Sequence, residues 1–157
     1  MSSEKLDFIN NEFPELLKKL TPETPRKWGM MSPQQMVEHL TDYIRVAIGK
    51  NPASIMTAEE QLPAYKRFLE SEIQFRPETK NPLNTGDPLQ VRMPDLQSAI
   101  DEYLSEMKEF YLFFEKHPGI KTIHPSFGYL DADDWMRMQY KHLRHHAKQF
   151  GLIENEN

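Results

Sequence analysis

The chain has 157 residues, a formal net charge of −5 and no cysteine. This length suits one compact domain, residues 1–157, with a core of its own. The lack of cysteine excludes disulfides, thiolate metal sites and a cysteine nucleophile from this sequence. The basic residues are scattered, which argues against nucleic acid as a partner. The sequence shows neither a long apolar run nor a secretory signal, so we expect a cytoplasmic protein that makes no membrane contact.

The first predicted helix lies near the N-terminus, where apolar residues recur three or four positions apart, as on one face of an amphipathic helix. The residues of this pattern are Leu6, Ile9, Phe13, Leu16 and Leu20. Pro14 falls inside the pattern. Because proline removes a backbone donor and clashes with the preceding turn, the helix either kinks there or restarts with Pro14 in its first turn.

The second predicted helix has a clear start signal. Ser32 suits the N-cap, Pro33 suits the first helical position, and Gln35 completes a capping box with Ser32. Apolar residues continue at helical spacing as far as Ala47, and Gly49 predicts the end of the helix.

Residues 50–94 form the least regular part of the sequence. Thr57-Ala58-Glu59-Glu60 matches a capping box, which predicts a short helix after Thr57, and residues 84–87 are typical of a turn. A connection this long inside a small domain often covers a functional site. Prolines interrupt residues 50–94 at six positions: Pro52, Pro63, Pro77, Pro82, Pro88 and Pro94.

Two longer helices are predicted in the C-terminal half. Apolar residues from Leu96 to Phe114 alternate spacings of four and three, and this helix ends before His117. The last helix begins at Asp131 and ends before Gly151. No alternating strand of useful length competes with these assignments. The predicted fold class is therefore all-α, a four-helix bundle with one long crossover connection.

Three of the six histidines fall on the last predicted helix. His142 and His146 are four residues apart, so their side chains lie one above the other and can reach one metal ion. His39, on the core-facing stripe of the second helix, is the natural third ligand if the two helices are neighbours. The structural alternative stays open, because such a pair arises by chance and a lone buried histidine is more often a hydrogen-bonded core residue.

The remaining histidines are interpreted as non-ligands. His145 lies about a quarter-turn from the His142 stripe, so it either faces solvent or supports the ligands. His117 and His124, each followed by proline, are typical of loops. If a general acid or base exists, Glu38 and His145 are near the ligands in sequence, with Gln149 as a hydrogen-bonding candidate. A solvated surface carboxylate is the favoured interpretation of Glu38.

Three further aromatic residues, Trp28, Tyr43 and Trp135, could line a pocket over the metal. Ordinary core packing is the expected role of at least two of them. The site lacks the features of better-known metal chemistries, because Leu143 replaces the glutamate of a His-Glu-x-x-His motif and paired Glu-x-x-His motifs are missing. A Gly-x-Ser-x-Gly elbow is missing too.

Two segments together cover roughly a third of the chain and carry a family resemblance. One runs from Trp28 to Leu40, and the other runs from His124 to Leu130 and continues through Trp135 into residues 140–150. These segments resemble the DinB-like superfamily of metal-binding four-helix proteins, and within it the uncharacterised DUF1569 branch.

The resemblance implies a bundle with a long crossover that holds one divalent metal ion, zinc, nickel or iron, through His39, His142 and His146. It also implies a small-molecule substrate and a low-molecular-weight thiol as partners, since similar members include thiol-dependent S-transferases and isomerases, and some are proposed hydrolases. Many relatives read His-Arg-Gly-Gln at the second ligand of the last helix. This chain has Ala147-Lys148 in place of the Arg-Gly pair.

Three imidazoles leave at least one coordination position open, as in catalytic zinc sites, where the ion can lower the pKa of water or activate a thiolate. Two functions stay open. One is a metal-dependent enzyme, a thiol transferase or a hydrolase, and the other is a non-catalytic helical bundle whose histidines bind a ligand or structure the core. The oligomeric state is also open, with a homodimer as one alternative.

Overall fold

Helices dominate the computed structural model, which describes residues 1–79 and 90–154. The prediction of a mainly helical chain is therefore confirmed. The turn predicted at residues 84–87, with Pro82 and Pro88, lies outside the described residues. Within the described ranges, no helix combines the length and the apolar character that crossing a membrane requires.

The N-terminal helix has three consecutive segments: α1 (Ser3–Asp7), a π-helical turn (Phe8–Glu12) and α2 (Phe13–Leu17). Pro14 lies in the first turn of α2, so the helix restarts there. The amide of Phe13 bonds the carbonyl of Phe8, five residues back, and the π-turn thereby accommodates the proline without an interior clash.

The π-turn changes which residues face the core. The wider turn rotates the helix face, so Phe8 and Leu17 are buried, whereas Leu6 is 36% exposed and Leu16 is only partly buried. The predicted inward position of Leu6 is therefore wrong, whereas Leu16 packs against the edge of the core. The other three residues of the predicted stripe, Ile9, Phe13 and Leu20, are buried as expected.

Helix α3 (Pro33–Ala47) confirms the predicted capping box. The Gln35 amide donates to Ser32 Oγ at 3.1 Å, and the Ser32 amide donates to Gln35 Oε1 at 2.8 Å. Gly49 follows the helix with a φ of +77°, the left-handed conformation that glycine adopts at a helix end.

The described part of the crossover contains a 3₁₀ turn (Glu59–Gln61) and α4 (Leu62–Glu70). A helix after Thr57 is thus confirmed, but the predicted capping box is wrong. The Thr57 hydroxyl donates to the carbonyl of Ser126 at 2.8 Å, a tertiary contact that the local sequence does not reveal. Pro63 lies in the first turn of α4, where its missing N–H costs nothing.

The two long C-terminal helices, α5 (Leu96–Lys116) and α6 (Ala132–Gln149), begin at aspartate caps. Asp95 accepts a hydrogen bond from the amide of Ser98 at 2.7 Å, and Asp131 accepts one from the amide of Asp134 at 2.9 Å. The predicted ends of both helices are confirmed.

A two-stranded antiparallel sheet, β1 (Thr122–His124) and β2 (Gly128–Leu130), lies between α5 and α6 in the sequence. The sequence pattern did not predict these two strands, because strands of three residues are too short to show an alternating pattern. Thr122 joins the hairpin to the helices: its hydroxyl donates to the carbonyl of Ala47 at 2.7 Å and accepts from Trp135 Nε1 at 2.8 Å.

Helix α3 packs against α5 and also contacts α6, while α4 and the N-terminal π-turn pack on α6. The helices that carry the candidate ligands are therefore neighbours. The largest fully buried side chains of the core are Trp135, Tyr103, Phe13, Phe110, Ile9, Leu17, Met36, Leu40, Ile44, Leu69, Leu130 and Met138.

Candidate metal centre

Three imidazoles converge where α3 meets α6. The Nε2 atom of His142 lies 2.8 Å from Nε2 of His39 and 3.0 Å from Nε2 of His146. One ligand atom from each of the three residues lies within 4.8 Å of the others. The structure thus brings together the three histidines that the sequence singled out, and the three could hold a metal ion.

The helix geometry explains this convergence. His39 lies one turn after Met36 and one turn before Tyr43, and both neighbours are buried, so His39 occupies the inward stripe of α3. His142 and His146 share one face of α6 at the spacing of four residues. The three histidines retain 7%, 8% and 4% exposure, in chain order, so the cluster is buried but close to the surface.

Burial keeps the three histidines neutral. It lowers the pKa of His39 to about 4, and repulsion between the protonated forms of His39 and His145 adds to the effect. Burial is also the main reason that the pKa of His142 and that of His146 lie well below the usual value, and the neighbouring histidines lower both further. Each ring therefore has a nitrogen lone pair available at neutral pH.

The cluster fits a cation better than it fits a hydrogen-bonded triad. A nitrogen of a neutral imidazole either donates one proton or accepts through one lone pair, so His142 Nε2 cannot bond well to both of its neighbours. A tetrahedral zinc site separates its ligand nitrogens by about 3.3 Å, so the two short separations would need to widen by only a few tenths of an ångström. Nδ1 of His142 is buried without a hydrogen-bond partner among the described residues.

Gln149 connects His146 to the loop before α3. Its Oε1 lies 2.7 Å from Nδ1 of His146, and its Nε2 donates to the carbonyl of Trp28 at 3.1 Å. The Lys27 amide donates to the main-chain carbonyl of Gln149 at 2.7 Å. Gln149 is therefore the hydrogen-bonding residue that the sequence suggested, and it contacts the candidate ligand His146 directly.

His145 is buried, so the solvent-facing one of its two predicted positions is wrong, and its place beside the candidate ligand His146 agrees with the supporting one. Its ring centroid lies 5.4 Å from that of Trp28, 5.9 Å from that of Phe75 and 5.0 Å from that of His146. The segment after α4 covers this face of α6, which helix periodicity alone does not reveal. Burial lowers the pKa of His145 to about 4, although a hydrogen bond to the Phe75 backbone opposes the shift.

His124 is buried at the end of β1, so its interpretation as a loop residue is wrong. Its Nδ1 accepts hydrogen bonds from the amides of Ser126, at 2.9 Å, and Phe127, at 3.3 Å. Burial lowers its pKa to about 3. The available signal was the glycine that follows at Gly128, which has a φ of +79° and closes a hairpin turn beside the histidine.

Tyr43 separates His124 from the three candidate ligands. Its ring centroid lies 5.2 Å from that of His39, 5.0 Å from that of His142 and 5.3 Å from that of His124. Of the three aromatic residues considered for a pocket wall, Tyr43 is therefore beside the ligands. Trp28 is half-buried against His145, whereas Trp135 is fully buried and serves the core.

Glu38 is 4% exposed, so its interpretation as a solvated surface carboxylate is wrong. Its Oε1 accepts from the amide of Arg92 at 2.6 Å and from the Arg92 guanidinium at 3.0 Å, and its Oε2 accepts from Gln34 at 3.0 Å. Glu38 thus anchors the far end of the crossover to α3.

His117 is exposed at the end of α5, as its loop interpretation requires.

Comparison with known protein families identifies the superfamily of the chain. A family model described as the DinB superfamily matches residues 5–150, almost the whole chain. No curated protein and no solved structure matches the chain. The match confirms the superfamily that the two sequence segments indicated.

Proposed function

The chain belongs to the DinB superfamily, and from that premise we propose that it is a metal-dependent enzyme that holds one divalent ion through His39, His142 and His146. The proposed reaction is the transfer of a small thiol to an electrophilic small molecule, with metal-dependent hydrolysis as the alternative reaction. The observation that carries the proposal is the convergence of the three buried imidazoles between α3 and α6, with Nε2 of His142 close to Nε2 of both other rings.

The chemistry of the site supports this reaction class. A divalent ion, when bound, supplies Lewis acidity that favours a thiolate over a thiol or polarises a water molecule. The chain has no cysteine, so the thiol must come from solution. The three neutral imidazoles present lone pairs, and a tightly packed tyrosine and histidine, Tyr43 and His145, limit the access of water to them.

The surroundings favour an apolar substrate. Trp28 and Phe75 pack on His145, and Phe127 packs on Phe75 at a ring-centroid distance of 6.4 Å. Aromatic rings bind apolar and aromatic groups through dispersion and edge contacts. The proposed substrate is therefore a small apolar electrophile.

The proposal also covers the branch of the superfamily, the fold, the cellular location and the partners of the chain. We assign it to the DUF1569 branch and interpret its fold as one domain, a four-helix bundle of the N-terminal helix, α3, α5 and α6, with α4 in the crossover. We propose that the protein acts in the cytoplasm on a small-molecule substrate with a small thiol, binds neither nucleic acid nor membrane, and has a homodimer as one alternative state.

A non-catalytic role is the second candidate. It is favoured by the 2.8 Å separation of the His39 and His142 nitrogens, which is the length of a direct hydrogen bond. In that case the histidines structure the core, and His142→Ala changes stability while leaving the metal content unchanged.

Elemental analysis of protein purified without a histidine tag tests the proposal. We expect about one equivalent of zinc, nickel or iron in the parent and almost none in His142→Ala, because two of three ligands hold a metal poorly. His117→Ala is the matched control, since His117 is exposed at the end of α5. Metal-free protein that also fails to take up added zinc or nickel contradicts the proposal, whereas a loaded parent proceeds to thiol-conjugation assays with apolar electrophiles.

A further inference from the structure

We propose that Gln149 is a positioning residue that selects the metal-binding tautomer of His146, and that Gly29 fixes the orientation of Gln149. The inference rests on the proposed function, because the tautomer of His146 matters to function only if His146 is a metal ligand. It concerns residues that do not touch the metal themselves.

The orientation of the Gln149 amide follows from its two partners. The carbonyl oxygen of Trp28 can only accept a hydrogen bond, so the NH₂ group of Gln149 must face it, at 3.1 Å. The amide oxygen is thereby directed to the other partner, Nδ1 of His146, at 2.7 Å. The assignment of amide oxygen and nitrogen thus follows from the chemistry of the Trp28 carbonyl.

This orientation decides where the proton of His146 lies. An amide oxygen only accepts, so Nδ1 of a neutral His146 carries the proton and donates it to Gln149. The other nitrogen, Nε2, then keeps its lone pair, and Nε2 is the atom that faces His142 at 3.0 Å. A partner of this kind fixes both the tautomer and the ring orientation of a metal-binding histidine.

Gly29 makes room for the Gln149 amide. It has a φ of +78°, and a Cβ atom at this position would lie 2.9 Å from Nε2 of Gln149. Any side chain at position 29 therefore pushes the amide away from the Trp28 carbonyl. The turn is held in place by a hydrogen bond of 2.9 Å from Arg26 Nε to the Gly29 carbonyl.

The same turn joins the two helices that carry the ligands. It ends at Gly29, four positions before the first residue of α3, and it contacts Gln149, the last residue of α6. The hydrogen bond of 2.7 Å from the Lys27 amide to the Gln149 carbonyl is a second link between turn and helix end. Gln149 therefore couples the loop before His39 to the ring of His146.

The first experiment measures the tautomer directly. Long-range ¹⁵N–¹H correlation spectra of the metal-free parent protein are expected to show His146 as the Nδ1–H tautomer. In Gln149→Leu this preference is lost, and in Gln149→Glu, which keeps an acceptor at the same place, it is retained. An Nε2–H tautomer in the parent overturns the inference. Because this measurement needs no metal, it tests Gln149 even if the parent binds none and the proposed function fails.

The second experiment measures metal affinity by competition with a chelator. We expect Gln149→Leu and Gly29→Ala each to bind zinc 10- to 100-fold more weakly than the parent, the usual effect of losing such a partner. Gly119→Ala is the matched control, because Gly119 also has a φ of +78° but a Cβ there meets nothing within 4 Å. It should retain the affinity of the parent. Parent-like affinity in Gln149→Leu, or equal losses in both glycine variants, contradicts the proposal.

Discussion

The Nε2 atoms of His39 and His142 lie 2.8 Å apart, although 103 positions separate the two residues in the chain. The contact is made because α3 and α6 each place a histidine on their inward face at the same height. It joins the first half of the chain to the last helix, so the geometry of the candidate site depends on how these two helices pack.

Ligand loss should remove the stabilisation that a metal provides. At a free zinc concentration 100-fold above the dissociation constant, binding stabilises the folded state by about 2.7 kcal/mol, which raises the melting temperature of a chain this size by about 5–10 °C. We expect this rise in the parent and in His117→Ala, and none in His39→Ala. Differential scanning calorimetry with and without zinc measures it. A full zinc-dependent rise in His39→Ala would show that His39 is not a ligand.

Acid should destabilise the metal-free protein in the range where unfolded histidines become protonated. The pKa of His39 falls from its usual 6.5 to about 4 on folding, that of His145 falls to about 4, and that of His124 to about 3. The unfolded state therefore binds more protons, so stability is complete above about pH 6.5 and is lost as the pH falls toward 4. Each such histidine contributes up to about 1.4 kcal/mol per pH unit.

Urea unfolding in the presence of a chelator, at intervals between pH 7.5 and 4.5, measures this dependence. Below pH 6 we expect the free energy of unfolding to fall by more than about 1.4 kcal/mol per pH unit, the slope that uptake of a single proton would give. A free energy that stays constant over this range contradicts the burial of neutral histidines.

Glu38 should contribute to stability rather than to metal binding. Glu38→Ala removes the acceptor of the Arg92 amide and guanidinium, and leaving buried donors unpaired costs about 1–3 kcal/mol. Arg92→Ala should cost less, about 1 kcal/mol, because the Arg92 amide and Gln34 still donate to the carboxylate. Chemical denaturation measures both variants, with exposed Glu115→Ala as the control. A loss of metal affinity as large as that of His39→Ala would instead place Glu38 in the site.

Thr122 should hold the hairpin to the helices. Thr122→Val preserves shape but removes the acceptor of Trp135 Nε1 and the donor to the Ala47 carbonyl, at a cost of about 1–3 kcal/mol. Exposed Thr21→Val is the control. We expect lower stability with unchanged zinc affinity, measured by urea unfolding and chelator competition. If zinc affinity falls 10-fold or more, the hairpin positions the ligands as well.

The sequence predicted those features that depend on neighbours along the chain. The Ser32–Gln35 capping box, the start of α6 at Asp131, and the shared face of His142 and His146 all result from contacts within one helical turn. The choice of His39 as the third ligand needed only one further assumption, that α3 and α6 are neighbours.

The features that sequence patterns missed depend on contacts between distant segments. His145 is buried because Phe75 covers it, and Glu38 is buried because Arg92 pairs with it. Neither partner lies on the helix that carries the buried residue. His124 was missed for a different reason, since a three-residue strand carries too few side chains to show alternation.

Both described ends of the crossover are attached beside the candidate ligands through main-chain groups. His145, next to His146, bonds the backbone of Phe75, and Glu38, next to His39, accepts from the amide of Arg92. Main-chain groups are the same for every residue type except proline, whose amide lacks the hydrogen. Most substitutions at Phe75 or at Arg92 therefore leave these two main-chain attachments beside the candidate ligands in place.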